Sequence, residues 1–175
     1  NQGTFIKSAI GEVKSSAVLG VILAIVVLFV FLRRMGTTLI VSLAIPISIV
    51  ATFNLMFFNG LSLNIMTLGG LALGAGMLVD NAIVVIESIF RNQEKGLSIK
   101  EAAINGTAEV ANAVIASTLT TIVVFLPIVY LHGASGELFK DQAWTVTFSL
   151  VSSLFVAILV IPMLYIQLSG KKIKL

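Results

Sequence analysis

Residues Gly69 to Arg91 read GGLALGAGMLVDNAIVVIESIFR, an apolar run that places Asp80 and Glu87 inside what is otherwise a membrane-crossing helix. Asp80 lies eleven residues before Arg91. At ~1.5 Å per residue that is about 16 Å, near the middle of a ~30 Å hydrocarbon core. An aspartate at that depth costs roughly 2.5–3.5 kcal/mol on insertion scales, so it faces a partner or a water-filled path and is a functional candidate. At 100° per residue Gly69, Leu73, Gly76, Asp80 and Glu87 fall close to one line, with Asn81 one step round the helix. Gly70 and Gly74 form a second pair of small residues beside that stripe, and glycines allow a neighbouring helix to approach closely.

Around this stretch the composition is that of a membrane protein: 58% hydrophobic and 11% charged, against about 25% charged in soluble domains. There is no cysteine, which excludes disulfides and thiolate metal sites. The net charge of +3 serves orientation and gives no reason to expect a nucleic-acid partner. The chain begins at Asn1 without a signal-peptide pattern and reads as a fragment.

The expected fold is all-α, a polytopic transmembrane bundle forming a single membrane domain over 1–175. Residues 1–14, with Phe5, Ile6, Ile10 and Val13 at helical spacing, are expected as an external interfacial helix. Uncharged runs then give five spans, at about 15–32, 37–58, 61–90, 108–131 and 143–168. Gly36 and Asn59-Gly60 mark turns, and Pro46 bends the second span. Ser98 and Glu101 have capping-box spacing, predicting a short cytoplasmic helix that Gly106 ends. Thr118, Thr120 and Thr121 are expected to bond back to their own helix. His132 to Asp141 reads as a polar loop, and Trp144 and Tyr165 as interfacial anchors.

Arg33, Arg34, Arg91, Lys95, Lys100, Lys171, Lys172 and Lys174 fall on one side of the membrane, and Lys7, Lys14 and Lys140 on the other. The positive-inside rule makes the first side cytoplasmic, with the N-terminus external and the C-terminus inside. Every basic residue lies at or beyond a span end, so a cationic partner for Asp80 is expected from outside these residues. A carboxylate buried alone favours its neutral form and an approaching cation favours the charged one, so a helix rearrangement can load and unload a proton. One charge moved through 100 mV supplies ~2.3 kcal/mol.

Glu87 is about 6 Å from Arg91 along the helix and suits either an ion pair with it or a relay position. Asn54, Asn64 and Asn112 suit helix packing or the interface. Met56, Met66, Met77 and Met163 are scattered over separate spans and read as core filling, so no metal site is expected. His132 reads as a surface residue. An intramembrane aspartyl protease is excluded by geometry: its dyad spans about 3 Å, whereas Asp80 and Glu87 are about 10.5 Å apart along one helix. An enzyme is not expected.

The run G-M-L-V-D-N-A-I-V-V-I-E-S-I-F-R from Gly76 to Arg91 closely resembles the fourth-helix signature of resistance-nodulation-division (RND) efflux transporters. F-L-R-R-M-G-T-T-L-I-V-S-L-A-I-P from Phe31, S-L-N-I-M-T-L-G-G from Ser62, and the F-L-P…G-x-x-G-x-L-F region from Phe125 are similar to the same family. Together they cover the second to sixth helices. The resemblance implies proton-driven export with protons as coupling ion and no cofactor, the aspartate at Asp80 facing a lysine on the tenth helix. Asp80, Asn81 and Glu87 are then the relay positions, with Gly69, Gly70, Gly74 and Gly76 packing around them. Many exporters of hydrophobic and amphiphilic compounds carry a second aspartate where this chain has Asn81, yet the Ala-Ile-Val-Val-Ile-Glu continuation leans to that branch. A metal-ion exporter and an RND-like auxiliary of lipid or protein export are the alternatives. The resemblance further implies the bacterial inner membrane, and a homotrimer working with a periplasmic adaptor and an outer-membrane channel.

Overall fold

The structure is a computed structural model that describes residues 2–170. The basic tail at Lys171, Lys172 and Lys174 and the side chains of Phe5, Ile6, Lys7, Ile10, Val13 and Lys14 lie outside the described residues. The described chain is helical apart from short connections, in the order α1 (Gln2–Leu32), α2 (Met35–Phe58), α3 (Ile65–Glu94), α4 (Ile99–Val129), α5 (Ala134–Phe155), a π-helical turn (Val156–Val160) and α6 (Ile161–Gly170). Four helical segments are long and apolar enough to cross a membrane: Met35–Phe58, Ile65–Glu94, Ile99–Val129 and Phe139–Gly170. Val18–Leu32 is a shorter apolar helix. The chain divides into two compact units, Asn1–Leu39 and Ile40–Leu175.

In the first unit, the expected interfacial helix and first span are one continuous α1, because no proline or glycine breaks the chain between Lys14 and Leu32 except Gly20, which a helix tolerates. The turn after it falls at Arg33 and not at Gly36. Arg33 takes a left-handed conformation with φ 50°, and the Thr37 and Thr38 hydroxyls both donate to the Arg34 carbonyl, at 3.0 and 2.9 Å. The Thr38 amide donates to the same carbonyl at 3.1 Å, the first backbone bond of α2, and Gly36 lies inside the helix.

In the second unit, α2 stays helical through Pro46 and buries Val41, Ala44, Ser48, Thr52 and Met56 along one face. Gly60, at φ 69°, makes the turn that follows. The third span then starts later than expected. Asn64 is the cap: its side chain accepts from the Thr67 amide at 3.0 Å while its own amide donates to the Thr67 hydroxyl at 2.8 Å. That reciprocal pair fixes the first helical residue at Ile65.

Gly96, at φ 93°, reverses the chain after α3. Ser98 and Glu101 form the expected capping box, but the helix they start does not stop at Gly106. It continues as α4, and Gly106 is instead a packing residue: a Cβ there would lie 2.5 Å from the Ile89 Cα. The expected short cytoplasmic helix is therefore about the first two turns of α4. Likewise most of the expected loop at His132 to Asp141 is helical. Gly133, at φ 99°, turns the chain and α5 begins at Ala134.

Helices α3, α4 and α5 pack against one another, and α6 packs against α4 and α3. Among the described residues, helix α3 contributes more buried apolar residues than any other helix, and Leu78, Ala82, Val85 and Ile89 are fully buried. The π turn inserts one extra residue per turn in the rod from α5 to α6, burying Val156 and Ala157.

Candidate functional site

Helix α3 has two unlike sides. Thr67, Gly70, Leu71, Gly74, Leu78, Asn81, Ala82, Val85, Ile86, Ser88, Ile89 and Asn92 are buried. Gly69, Leu73, Gly76, Asp80, Val84 and Glu87 are exposed. At 100° per residue the two sets are centred roughly 150° apart, so the acidic stripe looks away from α4 and α5. Asp80 sits on this open side, and no ion pair reaches it among the described residues.

The four glycines serve different sides. Gly70 and Gly74 are the close-approach positions for α5. A Cβ on Gly70 would lie 3.1 Å from the Gln142 carbonyl oxygen and the Thr145 Cβ, and one on Gly74 would overlap the Ser149 side chain. Around Gly76 nothing lies within 4 Å, and at Gly69 the nearest atom is the Gln142 Nε2 at 3.8 Å. Gly70 and Gly74 therefore bind α3 into the bundle, whereas Gly69 and Gly76 leave smooth backbone on the face that bears Asp80.

Asn81, one residue further on, turns inward. Its Nδ2 donates to the Thr118 Oγ1 on α4 at 3.3 Å, both side chains being buried. Thr118 thus departs from the expected back-bonding, while Thr120 and Thr121 follow it, donating to the Ala116 and Ser117 carbonyls at 2.8 and 3.0 Å.

Glu87 pairs with Arg91 at 3.5 Å, with 69% and 61% of the two side chains exposed. At such exposure the pair contributes ~0–1 kcal/mol, so it leaves Glu87 available to water. On the buried side of the same two turns lies a polar group that the sequence reading passed over. Glu109 of α4 accepts from Asn92 Nδ2 at 2.9 Å and from Ser88 Oγ at 3.2 Å, with Lys95 at 3.9 Å. Asn81, Ser88 and Asn92 repeat at seven and four residues, a helical face that could have been seen in the sequence; Glu109, inside an apolar segment's first turns, was the other signal. Nearby, the Tyr165 hydroxyl of α6 donates to Gln93 Oε1 at 2.5 Å. Tyr165 is buried, so it ties α6 to α3.

In the polar first turn of α4, outside the apolar part of that helix, the Ser98 hydroxyl and then its amide donate to Glu101 and hold its carboxyl below the usual range. Asn54 is exposed and bonds to its own helix at the Val50 carbonyl, Asn112 and His132 are exposed, and Asn64 is the cap already described. Met56 is buried and Met163 exposed. No group of three His, Asp or Glu side chains suited to a metal ion occurs among the described residues.

The family model described as AcrB/AcrD/AcrF matches residues 1–171. Among curated proteins, the multidrug resistance protein MdtC of Pectobacterium atrosepticum is 37% identical over 163 residues, 93% of this chain and 16% of the relative. MdtC of Escherichia coli O139:H28 and of Yersinia pestis are each 38% identical over 159 residues, 91% of this chain and 16% of theirs. The chain therefore spans about 16% of the length of the curated relatives it matches. A match over nearly every residue, including the Asp80 helix and its neighbours, shows that the chain belongs to the AcrB/AcrD/AcrF family of RND transporters.

Proposed function

We propose that this chain is the proton-relay part of the membrane domain of an exporter of hydrophobic or amphiphilic compounds, driven by proton antiport across the bacterial inner membrane. The observation that carries the reading is the position of Asp80: mid-helix, on the glycine-smoothed side of α3 that α4 and α5 do not cover. A carboxylate at that depth requires a partner. The basic partner comes from the remainder of the transporter, seated on the face of Gly69, Gly76 and Asp80. Approach and withdrawal of that cation change the free energy of the carboxylate's charged form, so conformational change and proton occupancy are linked. Glu87, exposed about 10.5 Å further along α3, is the relay's contact with cytoplasmic water. Asn81 supports the relay without titrating.

The names of the relatives, multidrug resistance proteins, favour drug-like substrates over metal ions. The same family membership supports a homotrimer joined to a periplasmic adaptor and an outer-membrane channel, with the N-terminus of this chain external and its C-terminus cytoplasmic.

The test is Asp80→Asn in the intact permease, reconstituted in vesicles with an imposed pH gradient. Gradient-driven export is expected to fall to background at normal membrane abundance. Undiminished export by this variant refutes the assignment.

A further inference from the structure

We propose that Thr118 is a positioning residue for Asp80: by holding the Asn81 amide it fixes the rotation of α3, and with it the direction in which the adjacent carboxylate points. The proposal rests on the reading of Asp80 as proton carrier.

Four hydroxyls crowd the middle of α4. Ser117, Thr120 and Thr121 each donate to a carbonyl of their own helix, at 3.0, 2.8 and 3.0 Å. Thr118 is the one whose oxygen accepts from another helix. It is 1% exposed and Asn81 7%, so water does not compete for this bond and breaking it leaves a buried amide to find another partner. The contacts above and below it are apolar: Leu78, Ala82 and Val85 on α3, Val114 on α4. Such surfaces resist separation but give no direction. Three side-chain bonds join α3 and α4 among the described residues, and two converge on Glu109. These two lie seven and eleven residues beyond Asn81, about 10 to 16 Å towards the cytoplasmic end. Asn81–Thr118 is thus the directional contact at the depth of Asp80. Because successive residues are 100° apart, the side chain that turns in to meet Thr118 sets the one before it on the open side.

Within this chain, the helices packed against α3 carry no charged group at the depth of Asp80. Between Val110 and Val129 on α4, and between Gln142 and Gly170 on α5 and α6, there is no charged residue. Tyr165 is titratable and bonds Gln93. On α3 the next groups are Glu87 and Arg91, which pair with each other. A displaced pH profile on altering Thr118, a group that does not ionise, therefore reads the setting of Asp80.

The experiment measures gradient-driven export against pH in vesicles holding the intact permease, for Thr118→Val, Thr118→Ser, Asn81→Ala and the Asn81→Ala/Thr118→Val double variant. Thr118→Val and Asn81→Ala are each expected to displace the pH midpoint in the same direction, by about 0.5–1 unit. Thr118→Ser, which keeps the hydroxyl, is expected to keep the midpoint, and the double variant to shift no further than either single one. An unshifted midpoint in Thr118→Val, an equal shift in Thr118→Ser, or additive shifts in the double variant overturns the proposal. Should Thr118→Val fail to reach the membrane, Thr118→Ala against Thr118→Ser makes the same comparison. Asp80→Asn, run alongside, separates the two readings: export surviving in that variant removes Asp80 as carrier, whereas an unmoved Thr118→Val profile removes only the positioning role.

Discussion

Replacing Gly74 with alanine sets two opposed terms against each other at one methyl group. In a helix interior, glycine to alanine contributes about 0.8–1.0 kcal/mol of stability through propensity. At Gly74 the added Cβ would meet the Ser149 Oγ and Cβ, and would lie 3.4 Å from the Ser149 Cα. The hydroxyl can rotate away; the Cβ and Cα move only with α5. Restoring a carbon–carbon separation of ~3.5–4.0 Å therefore requires α3 and α5 to part by on the order of 1 Å, loosening Gly70 against Thr145 one turn away. Overpacking of this kind costs about 1–3 kcal/mol, which exceeds the propensity gain. Because the added Cβ would overlap the Ser149 Cβ as well as its Oγ, the cost falls in the upper half of that range, and Gly74→Ala should lower the thermal stability of the detergent-solubilised permease by about 1–2 kcal/mol net, followed by the loss of monodisperse protein on heating. Adding Ser149→Gly opens the space and should recover most of the loss. Gly76→Ala is the control of opposite sign: nothing lies within 4 Å of its Cβ position, so this packing predicts no clash, and any loss seen in the intact permease reports a partner helix on the Asp80 face. A Gly74→Ala variant as stable as the parent, or one that Ser149→Gly does not rescue, refutes the close approach of α3 and α5.

Two further outcomes test the polar end of α3 and its contacts with α4 and α6. Glu109→Leu should lower the melting temperature of the permease in the same heating assay, because the Ser88 hydroxyl loses its acceptor and the Asn92 amide keeps only the Ser88 carbonyl at 3.0 Å; Lys95→Met, removing an exposed partner at 3.9 Å, should leave it nearly unchanged. Tyr165→Phe keeps the ring and deletes the bond to Gln93, for an expected loss of about 0.5–1.5 kcal/mol.

The sequence made the fold class legible because membrane helices announce themselves by length and by absence of charge. It was less informative about where helices begin and end. Glycine chemistry predicts boundaries at Gly36 and Gly106, yet both lie inside helices. A glycine can mark a turn or a crossing, and only the neighbour decides: Gly96 takes a left-handed φ, whereas Gly106 is helical and pressed against the Ile89 backbone. Capping chemistry is the better guide, since Ser98 and Glu101 pair as their spacing predicts, and Asn64 with Thr67, at the same spacing, fixes the start of α3. The alignment of Asp80 with Gly69 and Gly76 followed from the helical period. That Asn81 would meet Thr118, and Ser88 and Asn92 would meet Glu109, did not, because those pairs depend on the register between α3 and α4.

The division of α3 into a sealed side and an open side gives the proposed relay a mechanical basis. A proton carrier that answers to a moving partner must not itself roll, or the partner's displacement would be absorbed by rotation of the helix and proton occupancy would no longer follow conformation. Interlocked small residues at Gly70, Gly74 and Gly106 resist translation of α3 against α5 and α4, and bonds from Asn81, Ser88 and Asn92 resist its rotation. Among the described residues the open side carries no such contact: Gly76 and Gly69 present little to grip, so a partner can slide there at small cost in packing. Asparagine is well suited to position 81 on this account, because an amide holds Thr118 at every pH whereas a carboxylate there would bring a second titration into the clamp itself.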